Sequence, residues 1–473
     1  MQEEPKSSQE NAVFDPYALD PSEIRQPPTT LGRALREMGP GLILAGSIVG
    51  TGELIQTTDL GGKVGFTLLW LVIFSCFIKV FVQIELGRHA IASGLTTLEA
   101  FRTIPVVGIL FVWWWLLMTL VTLTQLAAMV DGVSQAVVRG VELLPWIERG
   151  SIGELMRLGC GALIALVTIA LLVTGTYSVV QNVTMFLVCL FTLFTTLCVA
   201  LLPFTEAWVP LSEILNGLIP KAPRFAWKEA LSMFAITGVG ASELLSYPYW
   251  CIEKGYARWT GPRSADGGWL ERARGWMRVM RLDAWGSMVV YTIATVAFYV
   301  LGAAVLFSLR SGKGLGEGKE LLPTLVAMYT PVLGDLGAHL IVLVGAIAVL
   351  FSTLFVASAG HARMTADFLY VIGCFDKSDH KHRLSLIRLF CVVYPVVAFV
   401  IFVIARKPVL LVRIGGLAQA VTLPMIAISA LYFRYRRCEP GLRPSLLWDC
   451  FLLLSVVSLI AAGGIAVFRI LTS

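Results

Sequence analysis

Eleven apolar runs, each long enough to cross a bilayer, decide what this chain can fold into. They lie at about 39–62, 66–92, 105–138, 155–174, 179–202, 229–252, 284–309, 334–358 (or on to 371), 386–405, 408–433 and 446–470. None alternates with the two-residue period of a barrel strand. The expectation is therefore an all-α membrane protein of about 11 transmembrane helices, with the lipid bilayer as its first partner. Composition agrees: 57% of residues are hydrophobic and 14% charged, against about 25% charged in soluble domains. The net charge of +6 sits in the connections between apolar runs and gives no reason to expect nucleic acid as a partner. The nine cysteines are scattered singly, without a CxxC or Cys/His cluster. They read as small buried hydrophobes, not as a disulfide framework or a zinc site.

Residues 1–32 are polar and Pro-rich without an apolar core, and read as a disordered cytoplasmic tail. Residues 33–473 then form a single transmembrane domain. Lys254, Arg258, Arg263, Arg272, Arg274, Arg278 and Arg281 follow the sixth span, and further basic clusters follow the eighth and tenth. By the excess of Lys and Arg in cytoplasmic loops, the N-terminus lies inside, the C-terminus outside, and the protein is a multi-pass protein of the cell membrane. The mixture of Trp, Met and Arg between Trp269 and Trp285 suits an interfacial helix or a solvated basic loop.

Within the first run, Gly46-Ser-Ile-Val-Gly-Thr-Gly-Glu53 places three glycines and a carboxylate near mid-bilayer. Glycine weakens a helix by roughly 1 kcal/mol relative to alanine, and a charge there costs about 2.5–3.5 kcal/mol. Unwound backbone survives at that depth where it lines a cavity or is buried by protein. A broken helix at a transport site is one reading; a packing kink with a salt-bridged Glu53 is the other. Span six repeats the pattern: Gly50-Thr-Gly-Glu53-Leu54 is similar to Gly240-Ala-Ser-Glu243-Leu244. Glu53, Gln56 and Thr57 share one helical face, as do Glu243, Ser246 and Tyr247. An interval of five spans fits two repeats, about 39–202 and 229–433, with broken helices at corresponding positions and an extra helix at 446–470.

At these residues the chain resembles the Nramp metal-ion transporters. Gly39-Pro-Gly-Leu-Ile through Gly52, Gly65-Phe66 with Leu69-Trp70, and Ala92-Ser-Gly94 match that family's opening. Ala359–Met364 and Leu423-Pro424 resemble motifs of its eighth and tenth spans. The resemblance implies a LeuT-like fold, a 5+5 inverted repeat plus one helix, and a transporter rather than an enzyme. The family's metal-binding Asp-Pro-Gly-Asn falls on Gly50-Thr51-Gly52-Glu53. Its Met-Pro-His falls on Tyr247-Pro248-Tyr249, or, through Gly240-Ala-Ser242, its Met falls on Leu244. Its Thr-Asp-Leu-Ala-Glu lies over Thr124-Gln-Leu-Ala-Ala128, without either acid.

The expected site is thus Glu53, Glu243, Gly50, Thr51, Gly240, Ser242, Tyr247 and Thr57, offering oxygen donors and no thioether. Such donors suit Mg²⁺ or Mn²⁺ as the transported cation, with no cofactor. An amine or amino acid carried by the same fold is the alternative, and a non-transporting membrane sensor the second. Candidates for coupling are Lys79, expected in a structural salt bridge or a coupling role, Gln125, Asp131, His361 and Gln419. Glu85, Arg88 and His89 read as a solvated cluster. Nothing points to an obligate protein partner, and no HExxH or comparable catalytic set appears.

Overall fold

The computed structural model describes residues 16–142, 153–174, 177–222, 225–263, 267–309, 312–315, 321–376 and 379–472. Among these there is no strand, and nine helices are long and apolar enough to cross a membrane. Of the other two expected spans, the sixth is broken into pieces of 10 and 14 residues, and the first into a 9-residue piece and a second piece that runs on into the helix of span two.

The first span starts as α1a (Pro40–Ile48) and resumes as a π-helical turn, Thr51–Thr57, that runs into helix Thr58–Val64, together α1b. Between them Val49 and Gly50 leave helical geometry, Gly50 at φ −141° and ψ −131°. A Cβ at Gly50 would overlap the Thr353 hydroxyl, so glycine is required for this close approach. The sixth span is α6a (Trp227–Ile236) and α6b (Ala241–Lys254), separated by Thr237–Gly240 with Gly238 in the left-handed region at φ +66°. The remaining spans are α2 (Leu69–Ser93), α3 (Gly108–Val141), α4 (Glu154–Thr174), α5 (Tyr177–Leu201), α7 (Trp269–Leu301), α8 (Leu321–Val371), α9 (His380–Ile404), α10 (Pro408–Tyr432) and α11 (Leu446–Thr472).

The broken spans are central and antiparallel. Gly39, at the start of α1a, lies beside the Lys254 side chain at the end of α6b, whereas Lys63 in α1b pairs with Glu229 in α6a at 2.8 Å. Around them α3 packs on α8 and α10, α6a on α10, α7 on α2, and α11 on α10. Leu110, Leu117 and Leu120 of α3, Leu163 and Leu166 of α4, and Val457 of α11 turn outward, as a lipid-facing surface requires.

Several expectations need correction. The stretch 269–285 is neither an in-plane helix nor a loop but the beginning of α7. Its Trp276 ring lies 4.6 Å from that of Trp259, and Arg272 donates to the Thr260 carbonyl at 2.9 Å, which holds the basic segment in line with the span. Helix α8 ends at Val371, the longer of the two expected limits, but it begins earlier than expected, with helix from Leu321 before a backbone break at Gly334 (φ 69°). From residue 16 the tail is packed. Tyr17 is buried and donates to Glu253 at 2.6 Å, and burial together with that carboxylate pushes its hydroxyl well above the ordinary tyrosine value. The Glu85 group is not solvated either: Arg88 bonds Glu85 at 3.0 Å, Trp448 donates to Glu85 at 2.6 Å, and all but the Trp are buried.

Candidate functional site

Glu53 stands in the first turn after the α1 break, with no exposed surface. Its Oε1 accepts the Gly238 amide at 2.9 Å and the Thr295 hydroxyl at 3.4 Å, and its Oε2 accepts the Gly50 amide at 3.4 Å. Breaking a helix frees backbone amides that nothing in a membrane interior would hydrate. Glu53 satisfies one from each broken span, an acid stitched to two positive backbone ends. Lys79 of α2 treats the opposite pole. Its ammonium, also fully buried, donates to the Thr237 carbonyl at 2.6 Å and lies 5.3 Å from the Phe234 ring centre. Among the described residues Lys79 has no ion pair, so the expected salt bridge is replaced by a carbonyl at the C-terminal end of α6a.

Below the breaks lies a cavity of about 40 Å³. Glu243 and Ser242 of α6b, Gln125 and Met129 of α3, His361 of α8 and Gln419 of α10 contribute its chemistry. A short chain of hydrogen bonds fixes one wall: Gln419 Nε2 donates to Gln125 Oε1 at 2.8 Å, and the Ser242 amide donates to Gln419 Oε1 at 3.1 Å. Gln125 also reaches the Val412 carbonyl at 3.4 Å. Among the described residues the Ser242 hydroxyl and His361 Nδ1 are buried without a protein partner, which is costly unless an occupant or water meets them. The cavity follows the Glu243, Ser246, Trp250 face of α6b and the Thr353, Gly360, His361 face of α8. It therefore extends from the breaks toward the Lys254 end.

The other direction is shut by charge. Asp59 and Lys63 of α1b, Glu229 of α6a and Arg413 of α10 form a four-member network, buried apart from the partly exposed Lys63: Lys63–Asp59 3.0 Å, Lys63–Glu229 2.8 Å, Arg413–Asp59 3.3 Å and Arg413–Glu229 3.3 Å.

The structure brings some of the expected residues together at the cavity and leaves others elsewhere. Glu243, Ser242, Gln125, His361 and Gln419 line the cavity, and Glu53 and Glu243 both meet the α6 break, Glu53 through the Gly238 amide and Glu243 against Gly240. Glu53 itself does not line the cavity, because its oxygens are taken by backbone amides. Gly50 and Gly240 shape the breaks. Thr57 turns to the Gly52 carbonyl at 2.9 Å, and the Thr51 side chain lies outside the described residues. Tyr247 is buried against α2 and α7, its hydroxyl 3.4 Å from the Met280 carbonyl, away from the cavity. Asp131 pairs with Arg157 of α4 and lines no part of it. The expectation of no thioether is also corrected, since Met129 lies in the wall. Sequence reading overlooked Met129 because in span three it weighed only the polar residues and the family motif over 124–128. It overlooked Arg413 although an arginine inside an apolar run was a signal in plain view.

A sequence profile of the Nramp family, described as natural resistance-associated macrophage protein-like, matches residues 41–468. No curated protein matches the chain. Among solved structures, the Eremococcus coleocola manganese transporter in complex with an aromatic bis-isothiourea substituted compound superposes with a TM-score of 0.67 at 14% identity, covering 94% of this chain and 88% of that one. Mhp1 in its inward facing conformation gives 0.54 at 14% identity over 96% and 94%. MhsT in complex with L-phenylalanine gives 0.50 at 14% over 94% and 99%. At such identities the likeness is one of fold, the LeuT-like arrangement of two five-helix repeats and a further helix.

Proposed function

We propose that this chain, which belongs to the natural resistance-associated macrophage protein-like family, is a secondary transporter that carries a divalent metal cation through the cavity at its two helix breaks. The observation that carries the reading is Glu243, the one carboxylate among the cavity-lining residues, facing a space at membrane depth. Ser242, Gln125, Gln419 and the ends of freed backbone supply neutral oxygen donors around it. One acid with amide and hydroxyl oxygens favours an oxygen-preferring ion, Mn²⁺ or Mg²⁺, held with part of its water. The similar fold of the E. coleocola manganese transporter agrees with this choice.

Size argues against the organic alternative. A water needs about 10–15 Å³ of such space, so a cavity of about 40 Å³ suits an ion with a few waters better than an amino acid. With the N-terminus inside, the Lys254 end faces the cytoplasm and the Asp59–Glu229 network closes the outer side. Alternating access then consists of opening that network while the cavity below the breaks closes.

Uptake into proteoliposomes of Mn²⁺, Mg²⁺, Ca²⁺ and a panel of amino acids and amines tests the reading. Saturable Mn²⁺ or Mg²⁺ uptake is expected. Uptake of an organic solute with neither metal carried or competing would overturn it.

A further inference from the structure

Lys79 is the buried charge that the proposed transport cycle leaves without a task. Its surroundings come from four elements. Ser75 and Cys76 share its own helix, Phe234 comes from α6a and Thr237 from the α6 break, where Glu53 of α1b accepts the amide of the next residue, Gly238, at 2.9 Å and the Glu243 carboxylate of α6b lies against Gly240. One turn earlier on α2, the Ser75 hydroxyl donates to the Phe234 carbonyl at 3.0 Å. A neutral side chain is therefore enough to satisfy a carbonyl freed near the end of α6a. An ammonium at the next position brings a desolvation penalty of several kcal/mol that a hydroxyl would not.

The charge, not the hydrogen bond, distinguishes the position. A carbonyl at the negative end of a half-helix, an aromatic face and two nearby carboxylates are what a bound monovalent cation would be offered. We propose that Lys79 is the fixed counter-cation of the transport site, filling the monovalent-cation position made by the α6 break so that the divalent ion moves without a coupled ion. Glu53, Glu243 and Lys79 together carry a single negative charge when all are ionised, and a divalent cation converts it to a single positive one. Without Lys79 the empty site would carry two negative charges and would draw in a monovalent ion before or with its substrate. The positioning role of Lys79 rests on the transport reading for its consequence, but the vacancy behind it is measurable without any transport.

Binding of ²²Na⁺ to the purified full-length protein, read by scintillation proximity, is the test. Wild type is expected to show no saturable signal. Lys79→Met is expected to bind ²²Na⁺ saturably, at about ten times the non-specific background, displaced by methylammonium, and Lys79→Arg to remain like wild type. In proteoliposomes, wild-type Mn²⁺ uptake should be equal in sodium and choline media and indifferent to an imposed proton gradient, whereas Lys79→Met should require sodium. A merely structural lysine would not create sodium binding where there was none. Saturable ²²Na⁺ binding by wild type, wild-type uptake that follows sodium or protons, or a monodisperse Lys79→Met protein that binds no ²²Na⁺ would each overturn the proposal. Should Lys79→Met fail to fold, the wild-type measurements decide alone. A wild type that carries no divalent ion defeats the transport reading, and the ²²Na⁺ result then still decides the role of Lys79.

Discussion

Gly238 donates its amide to Glu53 at 2.9 Å, so the carboxylate of one broken helix is held by the broken backbone of the other. Lys79 takes the carbonyl of the preceding residue, Thr237, at 2.6 Å. The α6 break is thereby gripped at consecutive residues by an acid and a base from two other helices. Any movement of α6a relative to α6b has to be shared with α1 and resisted by α2.

Glu53→Gln places an amide NH₂ where both oxygens now accept backbone N–H groups. One backbone donor then faces another donor and loses its partner. Leaving a buried donor unmet costs about 1–3 kcal/mol, so the unfolding temperature in detergent should fall by several degrees and uptake by about tenfold. Unchanged melting with lost uptake would instead assign Glu53 to the ion rather than to the backbone.

Arg413 holds two buried acids, Asp59 and Glu229, that Lys63 alone would have to neutralise. Arg413→Gln removes a buried partner, a change worth about 3–5 kcal/mol against this closed arrangement. Among the described residues the Gln56 amide and the Ser232 hydroxyl are buried without partners on the same side of the breaks, as groups awaiting water would be. A cysteine introduced by Ser232→Cys should accordingly react with a charged thiol reagent about tenfold faster when Arg413→Gln is also present. Equal rates in the two backgrounds would show that the network does not hold this side shut.

Met129 is the single thioether in the cavity wall, with Glu243 and amide oxygens as the harder donors. If the ion is held by oxygen, Met129→Leu leaves Mn²⁺ uptake within about twofold and weakens competition by Cd²⁺. A loss of Mn²⁺ uptake as large as that of Cd²⁺ binding would make the sulfur a ligand.

The broken spans were legible because their cause is local: Gly50, Gly238 and Gly240 stand where bilayer helices carry large apolar groups. The repeat was legible for the same reason, since Gly-x-x-Glu-Leu recurs at the matching place in each half. Partners were not. Whether Glu53 faces an ion or a backbone amide depends on where α6 passes, and whether Lys79 meets an acid or a carbonyl depends on the end of α6a. The α7 extension was misread because Arg272 and Arg274 look solvated in sequence, while the aromatic shelf of Tyr256 and Trp259 that receives their helix is made only when the connection before α7 folds back on Trp276. Arg413 illustrates the opposite failure, a charge visible within an apolar run whose acids come from spans one and six.

The central claim is that Glu243 holds a divalent cation in the cavity below the breaks. Anomalous X-ray scattering at the manganese absorption edge, from crystals of the protein grown with Mn²⁺ and from crystals of Glu243→Gln, tests it most directly. The account predicts one strong peak in wild type at ligand distance, about 2–2.6 Å, from a Glu243 oxygen and no peak there in Glu243→Gln. A peak away from Glu243, or one that persists in Glu243→Gln, would contradict it.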